Sequence, residues 1–197
     1  MMSETIELNN NPRLDRIVAA GKELFYRYGI KRVTVEEICE KAEISKMTFY
    51  KFFANKLELV KYLVNQLFDV AESAFDALIT GNLPFAAKVK KIIEIKLDNM
   101  RDMSSEFIVE LYKGEYAEII DLMQQRTAAT RKKVVDFIQT AIAEGHIRAD
   151  VPIEFHLYMH DKLTEMALDP KLTAQYDSPA AAVNELVNFY FYGILKR

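Results

Sequence analysis

The sequence predicts an all-α protein, with a small N-terminal three-helix domain and a larger C-terminal helical domain, about nine helices in all. Three observations point there. The 197 residues include only six Gly and five Pro, too little turn-forming material for a sandwich or barrel. Apolar residues recur at spacings of three and four from Leu14 onward, the period of a helix face. Charge is divided unevenly: residues 12–56 hold ten basic and six acidic residues, a net +4, although the whole chain is −3. A basic head on an acidic body suits a polyanionic partner for the head; chance clustering of solvated lysines gives the same count.

Composition narrows the class further. Half of the chain is hydrophobic, enough to fill one core of ordinary size. The lone Cys39 excludes an intramolecular disulfide framework. No apolar run approaches the ~18 residues of a membrane span, and no secretory signal pattern is visible. The expected setting is therefore soluble and cytoplasmic, with no membrane partner.

The elements follow in order. Residues 1–11 are polar and aperiodic and read as a tail. Pro12 suits a first helical position, and Leu14, Ile17, Val18, Gly21, Leu24, Phe25 and Tyr28 form one face of a first helix that Gly29 ends. Thr34-Val35-Glu36-Glu37 is a capping box that opens a short second helix, with Val35, Ile38, Cys39 and Ala42 facing inward. Ser45 caps a third helix from Lys46, with Phe49 and Phe53 directed to the core. Asn55 to Glu58 opens a long fourth helix over 55–79, broken by Gly81 and Pro84. A fifth helix runs to about Met100, a short sixth over about 104–113, and a seventh over about 116–144, ended by Gly145. An eighth starts at Pro152 and stops near Asp169, and a ninth runs from Pro179 to the C-terminus.

Three short helices within about fifty residues, the last two joined by a tight turn, describe a helix-turn-helix unit. Spacing and caps alone also fit other three-helix bundles. The third helix exposes Lys46, Met47, Thr48 and Lys51 beside its N-terminus, where free amides carry partial positive charge. A major groove admits one such helix, and residues of its first turn reach base edges.

The run from Thr34 to Leu59, with Ala19–Gly29 before it, resembles the DNA-binding domain of TetR-family transcriptional regulators. The elements stand in order and register over residues 12–60, about a third of the chain: Phe-x-x-x-Gly, Thr-Val, Ser-x-x-Thr-x-Tyr-x-x-Phe and Lys-x-x-Leu. The rest matches only in length and helical character. The resemblance implies a DNA-binding domain over 1–54, tail included, and an effector-binding and dimerisation domain over 55–197. It implies phosphate bonds from Thr34, Tyr50 and Lys56, and a groove face of Lys46, Met47, Thr48 and Lys51 behind the Ser45 cap. The chemistry agrees: hydroxyls and an ammonium suit phosphates, Lys46 can donate to a guanine edge, and Met47 or the Thr48 methyl can touch a thymine methyl. Met47 stands where the family often has a small residue, and Phe52 where it often has His or Tyr.

The body carries side chains suited to a greasy pocket, among them Met100, Met103, Phe107, Leu111, Tyr112, Tyr116 and Tyr158. Ordinary core packing uses the same residue types. By the resemblance, a small hydrophobic effector binds there and releases DNA. The last helix carries Val183, Leu186, Val187, Tyr190, Phe191 and Ile194 as an apolar stripe. Paired with the preceding helix, it would form a four-helix bundle across the two-fold axis of a homodimer; the other reading packs it on its own domain. Two heads on a symmetric body meet two half-sites, hence a palindromic double-stranded operator.

His156 and His160 lie four apart, with Asp161 and Glu165 nearby, a spacing compatible with a metal. No cysteine cluster or His-Glu-x-x-His pattern accompanies them, so a surface or interface pair is expected. No phosphate-cradling glycine loop or serine nucleophile elbow appears. No catalytic residue, metal or cofactor is therefore expected. The sequence reads as a repressor rather than an enzyme; the alternative is a helical carrier of a hydrophobic metabolite without specific DNA recognition.

Overall fold

The computed structural model describes the backbone of residues 11–167, 169–177 and 179–194. Side chains at 86, 90, 93, 96, 97, 100, 113, 160, 164, 170, 179, 180, 183 and 192–194 lie outside the described set. Ten helices occur among the described residues: α1 (Pro12–Tyr28), α2 (Val35–Lys41), α3 (Lys46–Phe52), α4 (Lys56–Thr80), α5 (Phe85–Met100), α6 (Ser105–Lys113), α7 (Ala117–Ala143), α8 (Ile153–Ala167), α9 (Pro170–Thr173) and α10 (Pro179–Ile194). The four-residue α9 has no counterpart in the sequence reading. Asp169 builds it locally: its carboxylate accepts the Lys171 amide at 2.9 Å, and its carbonyl accepts those of Leu172 and Thr173 at 3.0 Å. The expected tail over residues 1–10 lies outside the described residues.

The chain forms two compact units. The first takes α1–α3, α4 as far as Val70, and Arg101–Thr127; the second takes Ala71–Met100 and the chain from Ala128 onward. The division at 54/55 drawn from the sequence is one of role, whereas compactness gathers α6 and the start of α7 with the helix-turn-helix.

In the first unit, helix ends are set by their own neighbours. The Asn11 side chain accepts the Arg13 amide at 3.0 Å and Pro12 opens α1. Gly29, at φ +80°, closes it, its amide on the Phe25 carbonyl at 2.9 Å. Thr34 and Glu37 make the reciprocal capping box of α2. The Ser45 hydroxyl accepts the Thr48 amide at 3.2 Å to cap α3, and Asn55 accepts those of Leu57 and Glu58 at 2.8 and 3.1 Å to open α4. The apolar faces so aligned meet in one core. Ile17, Phe25, Ile38, Phe49 and Leu59 are fully buried there, joined by Phe107 and Leu111 of α6 and Ile119 and Met123 of α7. Each such side chain contributes roughly 1.5–3 kcal/mol by burial.

In the second unit the buried cluster of Ala141 and Ile147 is small, and half-buried Phe85, Ile138, Ile142, Tyr190 and Phe191 pack around it. Aromatic rings run on from it: Phe75 meets Phe137 at 6.0 Å, Phe137 meets Phe85 at 5.5 Å, and Phe85 stacks on His146 at 5.1 Å. Lys133 of α7 pairs with Asp76 of α4 at 2.7 Å.

Candidate nucleic-acid interface

One face of α3 is committed to the core and the other is not. Phe49 is fully buried, meeting Phe53 at 5.8 Å, and Phe52 leans on the same core. Phe52 is therefore a core aromatic. Tyr50 is different: its ring meets Phe49 edge-on at 5.5 Å, yet it is 54% exposed, and Met47 is 73% exposed. Lys46 and Lys51 are exposed beside them, and Thr48 is half-buried with its hydroxyl 3.0 Å from that of Ser45. The face expected to read DNA thus stands clear of the core, apart from the cap residues that fix its first turn.

Lys46 hydrogen-bonds Glu36, tying the first turn of α3 to that of α2. This bond holds the Lys46 ammonium above its usual range and the Glu36 carboxyl below it. Both side chains are more than half exposed. Exposed pairs are screened by solvent and contribute little, so the ammonium can exchange Glu36 for a base edge or phosphate at small cost.

Thr34 is engaged in its cap. Its amide donates to Glu37 at 2.8 Å, its hydroxyl to the same carboxylate at 3.0 Å, and the Glu37 amide returns to the hydroxyl at 3.2 Å. The Thr34 amide, then its hydroxyl, hold the Glu37 carboxyl below the usual carboxylate range. Lys56 differs from the expected phosphate clamp. Its ammonium donates to the carbonyls of Ile30 at 2.7 Å, Val33 at 2.8 Å and Lys31 at 3.2 Å. An ammonium has three donors, and here all three hold the loop between α1 and α2. Burial pulls the Lys56 pKa down, opposed by the nearby carboxylates of Glu110 and Glu37.

Sequence reasoning passed over two features of this face. Arg27 and Arg32 lie 5.3 and 4.3 Å from the Tyr28 ring, a cationic cluster just before α2; the signal was the pair of arginines flanking a terminal-turn tyrosine. Glu110 of α6 accepts backbone amides of the α1–α2 loop from 80 positions along the chain, which no local pattern reveals.

The expected effector residues fall in both units, and those described in the first unit differ in burial. Phe107 and Leu111 are buried in the core of the first unit, with Met103 and Tyr116 packed against it. Tyr112 is 47% exposed, Tyr158 of the second unit is 58% exposed, and the side chain of Met100 lies outside the described residues. The second unit has its own cleft of about 350 Å³, lined by Phe85, Phe137 and His146 with Lys88, Asp136 and Glu144 among the polar groups.

Of the expected dimer residues, Leu186 and Val187 are half-buried, and Tyr190 and Phe191 pack on the Ala141–Ile147 cluster. Val183 and Ile194 lie outside the described side chains. The exposed apolar side chains here are instead Phe189, 82% exposed, and Phe155, Tyr158 and Met166 of α8. His156 is buried rather than superficial, its Nδ1 2.7 Å from the Tyr190 hydroxyl; His160 lies outside the described side chains. Among the described residues no group of three or more His, Cys, Asp or Glu is placed to hold a metal, and no helix is long and apolar enough to cross a membrane.

A short capped helix with a free polar and basic face, preceded by a second capped helix and a tight turn, is the reading unit of a helix-turn-helix DNA-binding regulator. Residues 17–63 match the family model for bacterial regulatory proteins of the tetR family. The Probable HTH-type transcriptional regulator ArpR of Pseudomonas putida is 24% identical over 147 residues, 71% of this chain and 70% of its own length. The HTH-type transcriptional repressor KstR2 of Mycolicibacterium smegmatis is 21% identical over 147 residues, 72% of this chain and 71% of its own. The crystal structure of regulatory protein TetR from Rhodobacter sphaeroides superposes with a TM-score of 0.75 at 17% identity, covering 92% of this chain and 98% of that one. The likeness to tetR-family regulators thus covers residues 17–63 by the family model and 71–72% of the chain by these two relatives at 21–24% identity.

Proposed function

We propose that this protein is a cytoplasmic repressor that reads a palindromic operator as a homodimer and is released by a small hydrophobic effector. The observation that carries this reading is α3, with Phe49 fixing it in the core while Met47, Tyr50, Lys46 and Lys51 stay exposed. Tyr50 and the Thr34 end of α2 meet phosphates, which position the protein; Lys46 and Met47 read base edges. Arg32 adds a phosphate contact beside α2. Lys56 acts from behind, by holding the loop that leads into α2.

The dimer forms through α8 and α10, whose exposed Phe155, Tyr158, Met166 and Phe189 offer an apolar surface in addition to the predicted stripe. The aromatic cleft at Phe85, Phe137 and His146 is the effector site we favour, because its rings offer stacking faces and Lys88, Lys133, Asp136 and Glu144 can orient a flat ligand by a polar edge. Effector binding shifts the population to a form with low operator affinity.

The test is selection of bound duplexes from random DNA, followed by affinity against salt for the winner. An enriched palindrome with a steep salt dependence supports the reading. Absence of enrichment from protein shown free of bound small molecules favours the carrier alternative. Lys46→Ala is expected to relax preference at one or two base positions by ~1–3 kcal/mol; unchanged base preference would remove Lys46 from the reading face.

A further inference from the structure

We propose that α6 is part of the reading head, and that its Glu110 is a positioning residue that sets the α1–α2 loop, and through it Thr34 and α2, for DNA contact. This rests on the regulator reading above.

The link begins at the start of α6. The Ser104 amide donates to the Tyr26 carbonyl of α1 at 2.7 Å, and the Phe107 and Tyr26 rings meet at 5.0 Å. Phe107 and Leu111 fix that face of α6 in the core at 1% and 2% exposure. From there Glu110 reaches the loop. One carboxylate oxygen accepts the Ile30 amide, and both lie near the Lys31 amide, at 3.2 and 3.3 Å. The carbonyls of Ile30, Lys31 and Val33 are held by the Lys56 ammonium. An anion from α6 thus takes the amides of a segment whose carbonyls are taken by a cation from α4.

Gly29 supports the same assignment. Its φ is +80°, and a Cβ there would stand 2.8 Å from a Glu110 carboxylate oxygen. A side chain at this left-handed position would strain the backbone and push the Glu110 carboxylate away from the loop amides. The segment Gly29–Val33 belongs to no helix, so its path depends on these side-chain bonds, and Thr34 follows it directly as the cap of α2. Bonds to a charged acceptor are roughly twice as strong as neutral ones. A displacement of α6 is consequently delivered to the start of the helix-turn-helix.

Electrostatics gives the proposal an informative sign. If Glu110 were an idle carboxylate on a DNA-binding head, removing its charge would raise affinity for a polyanion. If it positions the loop, removal lowers affinity. The experiment compares full-length wild type, Glu110→Gln and Glu110→Ala on the duplex recovered by selection, together with hydrogen exchange of the 29–34 segment without DNA. Both variants are expected to lose about tenfold in affinity, the scale of one hydrogen bond to a charged group. The salt slope should fall by no more than about one, the share of the Arg32 phosphate contact on the same loop. Ile30 and Lys31 amides should exchange about tenfold faster, on the same scale. Equal or higher affinity, or unchanged loop exchange, overturns the proposal. Glu110→Gln keeps the shape and one acceptor oxygen, so it decides the matter if Glu110→Ala fails to fold. A wild type that recovers no duplex sinks the regulator reading and this role with it; a wild type that binds alongside unaffected variants sinks this role alone.

Discussion

Phe25, Phe49 and Phe107 lie fully buried in the first unit, together with Ile17, Ile38, Leu59 and Ile119. Among the described residues of the second unit, the large side chain buried to that degree is a histidine, His156, while Phe85, Phe137, Tyr190 and Phe191 are only half-buried. The head is over-determined by apolar packing, capped helix ends and a loop held from two sides. The body leaves its aromatics partly uncovered, around a cleft and on the outer faces of α8 and α10. The contrast follows the proposed tasks. A reading head must present the same geometry each time it meets DNA, whereas a body that admits a ligand and a second subunit needs surface still available for them.

The largest effect expected of this contrast is at Phe49. Phe49→Ala removes the ring on which α3 sits and should cost about 3–5 kcal/mol, abolishing DNA binding in the same step. The matched change in the second unit, Phe137→Ala at a half-buried ring, should cost less, about 1.5–3 kcal/mol. Comparable losses on thermal unfolding would break the distinction between a tight head and a loose body.

An intermediate effect is expected at the α2 cap. Thr34→Ala leaves the Glu37 amide and the Glu37 carboxylate without their hydroxyl partner and should cost about 1 kcal/mol. Because Thr34 is also a proposed phosphate contact, operator affinity should fall by more than Thr34→Ser produces; equal effects of the two substitutions would reduce Thr34 to a cap. A gain is expected in the turn between α2 and α3. Glu43 holds φ +52°, left-handed for a side-chain residue, and its ion pair with exposed Arg16 is long at 4.0 Å. Glu43→Gly removes a backbone cost of ~1–2 kcal/mol, offset in part by the entropy of glycine, so a net rise of up to about 1 kcal/mol is expected in chemical denaturation.

These positions also show what the sequence could disclose. Thr34, Ser45, Asn55 and Gly29 act within a few residues of themselves, so their roles are written in local spacing, and nine of the helices were legible for that reason. Glu110 and Lys56 act across 80 and 26 positions, and only the folded chain brings them to the same loop. The apolar stripe of α10 was legible as a period, but period does not say what covers it. Tyr190 and Phe191 are partly covered from within the unit, and Phe189, off the predicted stripe, is left most open. The effector residues fared similarly: Phe107 and Leu111 have the composition of a pocket and the position of a core.

The smallest effect at neutral pH, and the sharpest test of the body, concerns His156. Its Nδ1 faces the Tyr190 hydroxyl at 2.7 Å, while its Nε2 is buried with no hydrogen-bond partner. Burial pushes the His156 pKa below the ordinary value of 6.5, opposed by the Val151 carbonyl, and pushes the Tyr190 hydroxyl up to about 12, so the pair is neutral in the native state. The imidazolium carries an N–H on both ring nitrogens, one of them the buried Nε2. The unfolded chain takes that proton as pH falls through 6.5, and the native protein does so only at lower pH. Stability from this site is therefore complete above 6.5 and is lost progressively below it. The double substitution His156→Phe with Tyr190→Phe removes donor and acceptor together, which should be close to neutral at pH 7.5, and should flatten this part of the acid decline in the thermal midpoint. A single Tyr190→Phe keeps the imidazole and should keep the decline. If the double variant and the wild type fall in parallel between about pH 7 and 5, the acid sensitivity of the body lies elsewhere than in its buried histidine.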